Sequence, residues 1–153
     1  PIVITRTFSK GFGLGGMRVG YAVATPELAK GVGSHYVTGI GCGASRLSIE
    51  AALAAYEDTA HIQTVEKQNA QARQQIMAIL RDQGLEPIPS QGGFVLVPVP
   101  MNSIALADGI LYSSQFKISP RNYYGQNYLR ISTGRPDQLT QLEKGLKLVM
   151  KAA

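Results

Sequence analysis

The sequence predicts an α/β or α+β fold, with a first part that belongs to a large parallel-sheet domain and a compact small domain after it. Three observations carry that expectation. Apolar, β-rich runs at residues 1–8, 17–24 and 94–99 alternate with stretches of helical periodicity, the pattern of sheets layered with helices. The first run is nearly continuous in hydrophobicity, as in a strand buried on both faces. The composition, 44% hydrophobic and 16% charged over 153 residues, is that of a globular chain with material for one good core or two small ones.

Residues 1–8 are therefore read as a strand, and residues 9–16 as a glycine-rich turn. Residues 17–24 form a second strand. Thr25-Pro26-Glu27 opens a helix, with Thr25 suited to the N-cap and Pro26 to the first helical position. That helix is expected to end near Val32, before a loop at residues 33–43 with four glycines. Residues 45–58 read as a helix whose Ala51, Ala52, Ala54 and Ala55 make a small-residue face. A long amphipathic helix follows over residues 59–83, with Ile62, Val65, Ile76, Ile79 and Leu80 on its apolar stripe and Gly84 ending it. Pro87-Ile88-Pro89-Ser90 is an extended entry to the strand at residues 94–99, where Pro98 marks an edge strand or a strand end. A helix at 103–112, a short strand at 116–119, a turn at 121–127 and a strand at 128–132 come next. Gly134-Arg135-Pro136 breaks that strand. The last helix, 137–151, has Leu139, Leu142, Leu146 and Val149 at helical spacing. The domain boundary falls near residues 59–65, dividing the chain into 1–62 and 63–153.

Composition also excludes function classes. The net charge is +5, but the basic residues are scattered and there is no tryptophan, so no nucleic-acid surface is expected. Cys42 is the single cysteine, which excludes an internal disulfide, and with His35 and His61 the only histidines there is no metal-ligand set. No apolar run reaches the ~18 residues of a membrane span, and no signal peptide is visible. A cytoplasmic protein without membrane contact is expected.

The informative stretch is residues 5–21. Lys10 stands just past the first strand, and a lysine amine held there, with its pKa lowered, can form a Schiff base with an aldehyde. Ser9 before it and Arg18 after the turn are suitable donors for a phosphate. Together they suggest a pyridoxal phosphate site. Gly11, Gly13 and Gly16 also satisfy G-x-G-x-x-G, but that fingerprint needs a helix to follow and an acidic residue about 20 positions on. A strand-like run follows instead, and the later position is Tyr36, so a dinucleotide site is rejected.

Residues 7–21 resemble the lysine segment of fold-type-I pyridoxal-phosphate aminotransferases of class I and II, most of all the histidinol-phosphate aminotransferase group. That segment typically reads T-x-S-K, then G-L-(A/G)-G-(L/M)-R-x-G-(Y/F). Tyr128-Leu129-Arg130-Ile131-Ser132-Thr133-Gly134 is similar to the family's C-terminal motif, and Arg130 follows Lys10 by 120 positions, in the right order. The resemblance runs the length of the chain. It implies the pyridoxal-phosphate-dependent transferase fold, here incomplete, with residues 1–62 as the end of the large cofactor-binding domain and 63–153 as the small C-terminal domain. It implies Lys10 as the catalytic lysine, Ser9, Arg18 and Thr7 as further cofactor contacts, and Arg130 as the residue holding the substrate's acidic group. The implied reaction is transamination between a small-molecule amino donor, an amino acid or an amino-alcohol phosphate such as histidinol phosphate, and a 2-oxo acid acceptor. A homodimer is implied as well. In such enzymes the aspartate on the pyridine nitrogen, the ring-stacking aromatic, and the asparagine and tyrosine at the cofactor oxygen all precede the lysine. The chain is therefore expected to be the C-terminal part of a larger enzyme and inactive by itself.

The sequence departs from the pattern in two places. The segment Pro89-Ser90-Gln91-Gly92-Gly93-Phe94 resembles the family's P-S-x-(A/G)-N-F strand, with Gly93 where asparagine is usual. Histidinol-phosphate enzymes usually carry a second arginine about a dozen positions before the motif arginine, to help hold the substrate phosphate; here the nearest candidate is Arg121, displaced in sequence. An amino-acid aminotransferase is thus an equal expectation. The alternatives are a same-fold decarboxylase of a phosphorylated amino acid, an aminotransferase-like sensor domain of a transcription regulator, and a fragment with no function of its own.

Overall fold

The structure is a computed structural model that describes residues 1–37 and 43–152. Cys42 and part of the expected glycine loop lie outside the described residues. The chain divides into two compact units, Pro1–Glu66 and Lys67–Ala153.

In the first unit β1 (Ile4–Thr7) pairs antiparallel with β2 (Gly20–Val23), in register from Ile4↔Val23 to Thr7↔Gly20. Only glycine fits at position 20, because a Cβ there would stand 2.5 Å from the Arg6 carbonyl oxygen. All the residues of both strands are exposed, against the expectation of a strand buried on both faces. The reason is physical. Burial belongs to layers, and a two-stranded ribbon has no second layer among the described residues. The second strand starts later than expected because Gly15–Met17 form a turn of 3-10 helix first.

α1 (Pro26–Val37) begins at the expected proline, with the Ala29 N–H donating to the Thr25 carbonyl. It runs on through Gly33 instead of stopping at Val32. A glycine inside a helix costs only about 1 kcal/mol, and the Ser34 hydroxyl donates back to the Gly31 carbonyl in this turn. α2 (Arg46–Glu57) is capped by Ser45, whose Oγ accepts the Ser48 N–H at 3.1 Å.

The division between the units falls inside α3 (Thr59–Arg81). The expected glycine stop is present: Gly84 has φ +73, its N–H donates to the Arg81 carbonyl, and the Leu85 N–H donates to the Leu80 carbonyl. This is a Schellman ending, with Leu80 and Leu85 both buried beside it.

The second unit holds a three-stranded antiparallel sheet in the order β3-β5-β4, where β3 is Phe94–Pro98, β4 is Ser119–Tyr123 and β5 is Gln126–Ser132. Pro98 closes an edge strand, where its missing N–H is harmless. The fourth strand lies after the expected 116–119, because residues 121–123 join the ladder and the turn shrinks to Tyr124-Gly125. Both have positive φ, 52 and 84, as a two-residue hairpin turn requires. Asn122 Oδ1 accepts the Gly125 N–H at 3.2 Å and closes it.

α4 (Ser103–Ser114) starts under Asn102, whose Oδ1 accepts the N–H groups of Ile104 and Ala105. α5 (Pro136–Ala152) packs along α4. Gly145 and Gly109 permit that approach, since a Cβ at 145 would meet the Ser114 hydroxyl and one at 109 the Val149 methyls. The core between sheet and helices is formed by Ile76, Leu80, Val95, Val97, Ile110, Leu129, Ile131, Leu142 and Leu146, all fully buried.

Candidate active site

In the first unit, β1 leads straight into Phe8, the buried anchor of the loop that follows. Its ring lies 4.6 Å from that of Phe12 and 5.8 Å from that of Tyr21. Its backbone N–H donates to the Val19 carbonyl, and its own carbonyl accepts the Leu14 N–H. The chain between these two bonds is pushed outward, and Gly13, at φ +70, folds it back by donating to the Lys10 carbonyl at 2.8 Å. Lys10 therefore stands exposed near the tip, and its amine has no partner among the described residues.

Thr7 and Ser9 form a small hydroxyl pair at the strand end. Thr7 Oγ1 accepts the Ser9 N–H at 3.0 Å and donates to Ser9 Oγ at 2.8 Å. The Ser9 hydroxyl proton is left available to another acceptor. Arg18 closes the loop in a left-handed conformation, φ 52, and its Nη1 donates to the Gly15 carbonyl at 3.0 Å. Its remaining N–H donors have no partner among the described residues. One loop thus carries a primary amine, a free hydroxyl donor and a guanidinium, a set suited to an aldehyde next to a phosphate.

Sequence reading passed over the residue that braces this loop. Ser48 is buried, and its hydroxyl donates to the Met17 carbonyl at 2.8 Å from the first turn of α2. A small polar residue on an alanine-rich helix face is the signal, but it does not identify the partner.

In the second unit Arg130 lies in the middle strand, opposite Leu96 on one side and Ser119 on the other. Its neighbours Leu129 and Ile131 point into the core, so Arg130 points to the outer face. The guanidinium carbon sits 4.1 Å from the centroid of the Phe94 ring. No hydrogen-bond acceptor or carboxylate engages it among the described residues. Arg121 shares the outer face, two positions along β4 from Ser119, and donates through Nη1 to the Pro120 carbonyl at 2.8 Å.

The loop before β3 is tied from several sides. Arg73 donates to the Gly92 carbonyl, the Thr133 N–H donates to the Gly93 carbonyl, and Ser90 Oγ donates to the Phe94 carbonyl. Thr133 Oγ1 lies 2.7 Å from Asn69 Oδ1, to which it donates.

A family model for class I and II aminotransferases matches residues 1–146. The chain belongs to that family. Among curated relatives, histidinol-phosphate aminotransferase 2 of Pseudomonas fluorescens is 32% identical over 99% of this chain and 40% of its own length. Histidinol-phosphate aminotransferase of Akkermansia muciniphila is 34% identical over 97% of this chain and 40% of its own. The chain thus spans about two fifths of the length of the curated relatives it matches. The crystal structure of histidinol-phosphate aminotransferase from Sinorhizobium meliloti in complex with pyridoxal-5'-phosphate superposes with a TM-score of 0.87 at 31% identity, over 98% of this chain and 41% of that one. These matches show the fold expected from the sequence, that of the class I and II aminotransferases. Among the described residues of this aminotransferase chain, no helix is long and apolar enough to cross a membrane, and no cluster of histidine, cysteine, aspartate or glutamate could hold a metal ion.

Proposed function

We propose that this chain is the C-terminal portion of a pyridoxal-phosphate-dependent aminotransferase in which Lys10 is the catalytic lysine. The observation that carries the reading is the loop of residues 7–18, where an unpaired lysine amine, a free serine hydroxyl and a guanidinium stand together on the strand-turn-strand of a family member. The donor set fits the cofactor: a nucleophile for its aldehyde and charged and neutral donors for its phosphate.

Bound there, pyridoxal phosphate would supply an electron sink for a bond broken at a substrate α-carbon. Ser9, Thr7 and Arg18 would hold its phosphate, Arg18 by charge-assisted hydrogen bonds. Lys10 would hold its aldehyde end and, once released by an incoming amine, move the proton at the substrate α-carbon. Arg130 would receive the substrate's carboxylate, or a phosphate, through its forked donors. The names of the relatives support histidinol phosphate as an amino donor, with an amino acid as the other candidate and a 2-oxo acid as acceptor. The boundary at 62/63, a homodimeric enzyme and a cytoplasmic setting belong to the same reading.

The test is reduction of the intact protein with borohydride in the presence of pyridoxal phosphate, followed by peptide mapping and intact mass. An adduct on Lys10 that disappears in Lys10→Ala supports the reading. Labelling spread over other lysines, unchanged in Lys10→Ala, sinks it.

A further inference from the structure

We propose that Phe94 is the positioning residue for Arg130, fixing its guanidinium from one face and leaving all of its N–H donors open to an anion. The inference rests on the reading of Arg130 as the group that takes the substrate's acid end.

A guanidinium needs something to hold it in place. The common solution, a carboxylate partner, occupies donors and cancels the charge. The structure uses a ring instead. Phe94 lies diagonally across the β3–β5 ladder from Arg130, one side-chain repeat from Leu96, and the guanidinium carbon stands 4.1 Å above its centroid. A phenyl face attracts a cation through its quadrupole and, unlike a carboxylate, carries no lone pair or charge to pair with the N–H donors. Both side chains are half-buried, which strengthens the attraction.

The ring is itself held. Its strand pairs Phe94 with Ser132, and its carbonyl accepts the Ser90 hydroxyl at 2.7 Å. The ring lies over Gly92, where a Cβ would come within 3.4 Å of Cε1. Arg73 and Thr133 fasten the carbonyls of Gly92 and Gly93, so the loop under the ring is pinned from α3 and from the end of β5. The result is a guanidinium held against a fixed ring, with no carboxylate partner among the described residues.

The test is a titration of the intact protein, labelled with nitrogen-15 arginine, using 2-oxoglutarate as probe. The Arg130 Nε–Hε signal, assigned by its loss in Arg130→Lys, is followed in the native protein, in Phe94→Leu, and with a ring-fluorinated phenylalanine at position 94. The last preserves the shape while weakening the quadrupole, so it reports even if Phe94→Leu fails to fold. Expected is an Hε signal moved upfield by the ring in the native protein, and a dissociation constant about fivefold to tenfold weaker in both ring variants. An Arg130 signal that responds to the probe with an unchanged dissociation constant in the ring variants overturns the positioning role and leaves Arg130 as the acid-binding group. A native Arg130 signal that ignores the probe overturns both.

Discussion

Ser48 Oγ donates to the Met17 carbonyl at 2.8 Å, joining the first turn of α2 to the last turn of the lysine loop across 31 positions of chain. The bond is buried. Removing the hydroxyl leaves a carbonyl without its donor, so Ser48→Ala should lower stability by about 1–2 kcal/mol. Urea denaturation reads that loss. Capture of pyridoxal phosphate should weaken in parallel, because Met17 precedes Arg18. A variant with full stability and full capture would remove Ser48 from the argument.

Gly20 offers a sharper test of the ribbon. Its missing Cβ would stand 2.5 Å from the Arg6 carbonyl oxygen, and neither backbone can yield without breaking the β1–β2 ladder. Gly20→Ala should therefore destabilise the first unit by about 1–3 kcal/mol. Amide exchange across residues 4–7 and 20–23 is the measurement, and unaltered protection there would contradict the packing described.

Arg18 combines a charge with a left-handed backbone, and the two can be separated. Arg18→Gly keeps the conformation available at no steric cost and removes the guanidinium. Affinity for pyridoxal phosphate should fall about tenfold or more, since hydrogen bonds to charged groups are worth about 1.5–3 kcal/mol. The thermal midpoint should scarcely move. If affinity holds while stability drops, Arg18 is a structural loop residue only.

The second unit should respond in proportion to burial. Leu142 is fully buried in the core, and Leu142→Ala should cost about 2–5 kcal/mol. Gly84 has nothing near its missing Cβ but holds φ +73, so Gly84→Ala should cost only about 1 kcal/mol. Denaturant titration of both variants gives the ranking, and the reverse order would mean the Schellman ending matters more than the core.

Lys147 provides a pH test. Its hydrogen bond to Glu143, with the Glu143 charge and more distantly that of Asp82, holds its amine above the ordinary lysine value of 10.5. A raised folded value means the contribution is complete below the unfolded pKa and is lost as the pH rises through the folded one. Neutral pH should leave the pair intact, and Glu143→Gln should bring the Lys147 titration down, as followed by nitrogen-15 signals of the amine. An unchanged titration would mean the pair does not persist in solution.

The legible parts of this chain were those whose cause is local. The helix beginning near residue 45, the glycine stop at 84 and the apolar stripes of α3 and α5 follow from residue type and spacing, and they stand where expected. What was misread depended on partners distant in sequence. Residues 121–123 looked like turn because Tyr124-Gly125 and Asn122 carry turn chemistry, whereas pairing with β5 makes them strand. The run at residues 1–8 announced burial that the ribbon itself does not provide. Lys10, Ser9, Thr7 and Arg18 could be singled out as candidates because one short motif holds them, and the structure keeps them on one loop and its strand end. Phe94 and Ser48 were not, because the significance of each lies in a contact across the fold.

The exposed ribbon of β1 and β2 also sets the mechanics of the lysine loop. A lone pair of strands is only marginally stable in water, and the two ends of the loop meet on this pair through the Phe8–Val19 backbone bond, with the Ser48–Met17 bond as the further brace from α2. Whatever lies along its open edges thus acts as a stiffener. With the edges occupied, the reactive amine would be held at a defined spot. With the edges bare, it would wander, and the pre-organisation that a fixed nucleophile contributes to capture would be lost with the ribbon's rigidity.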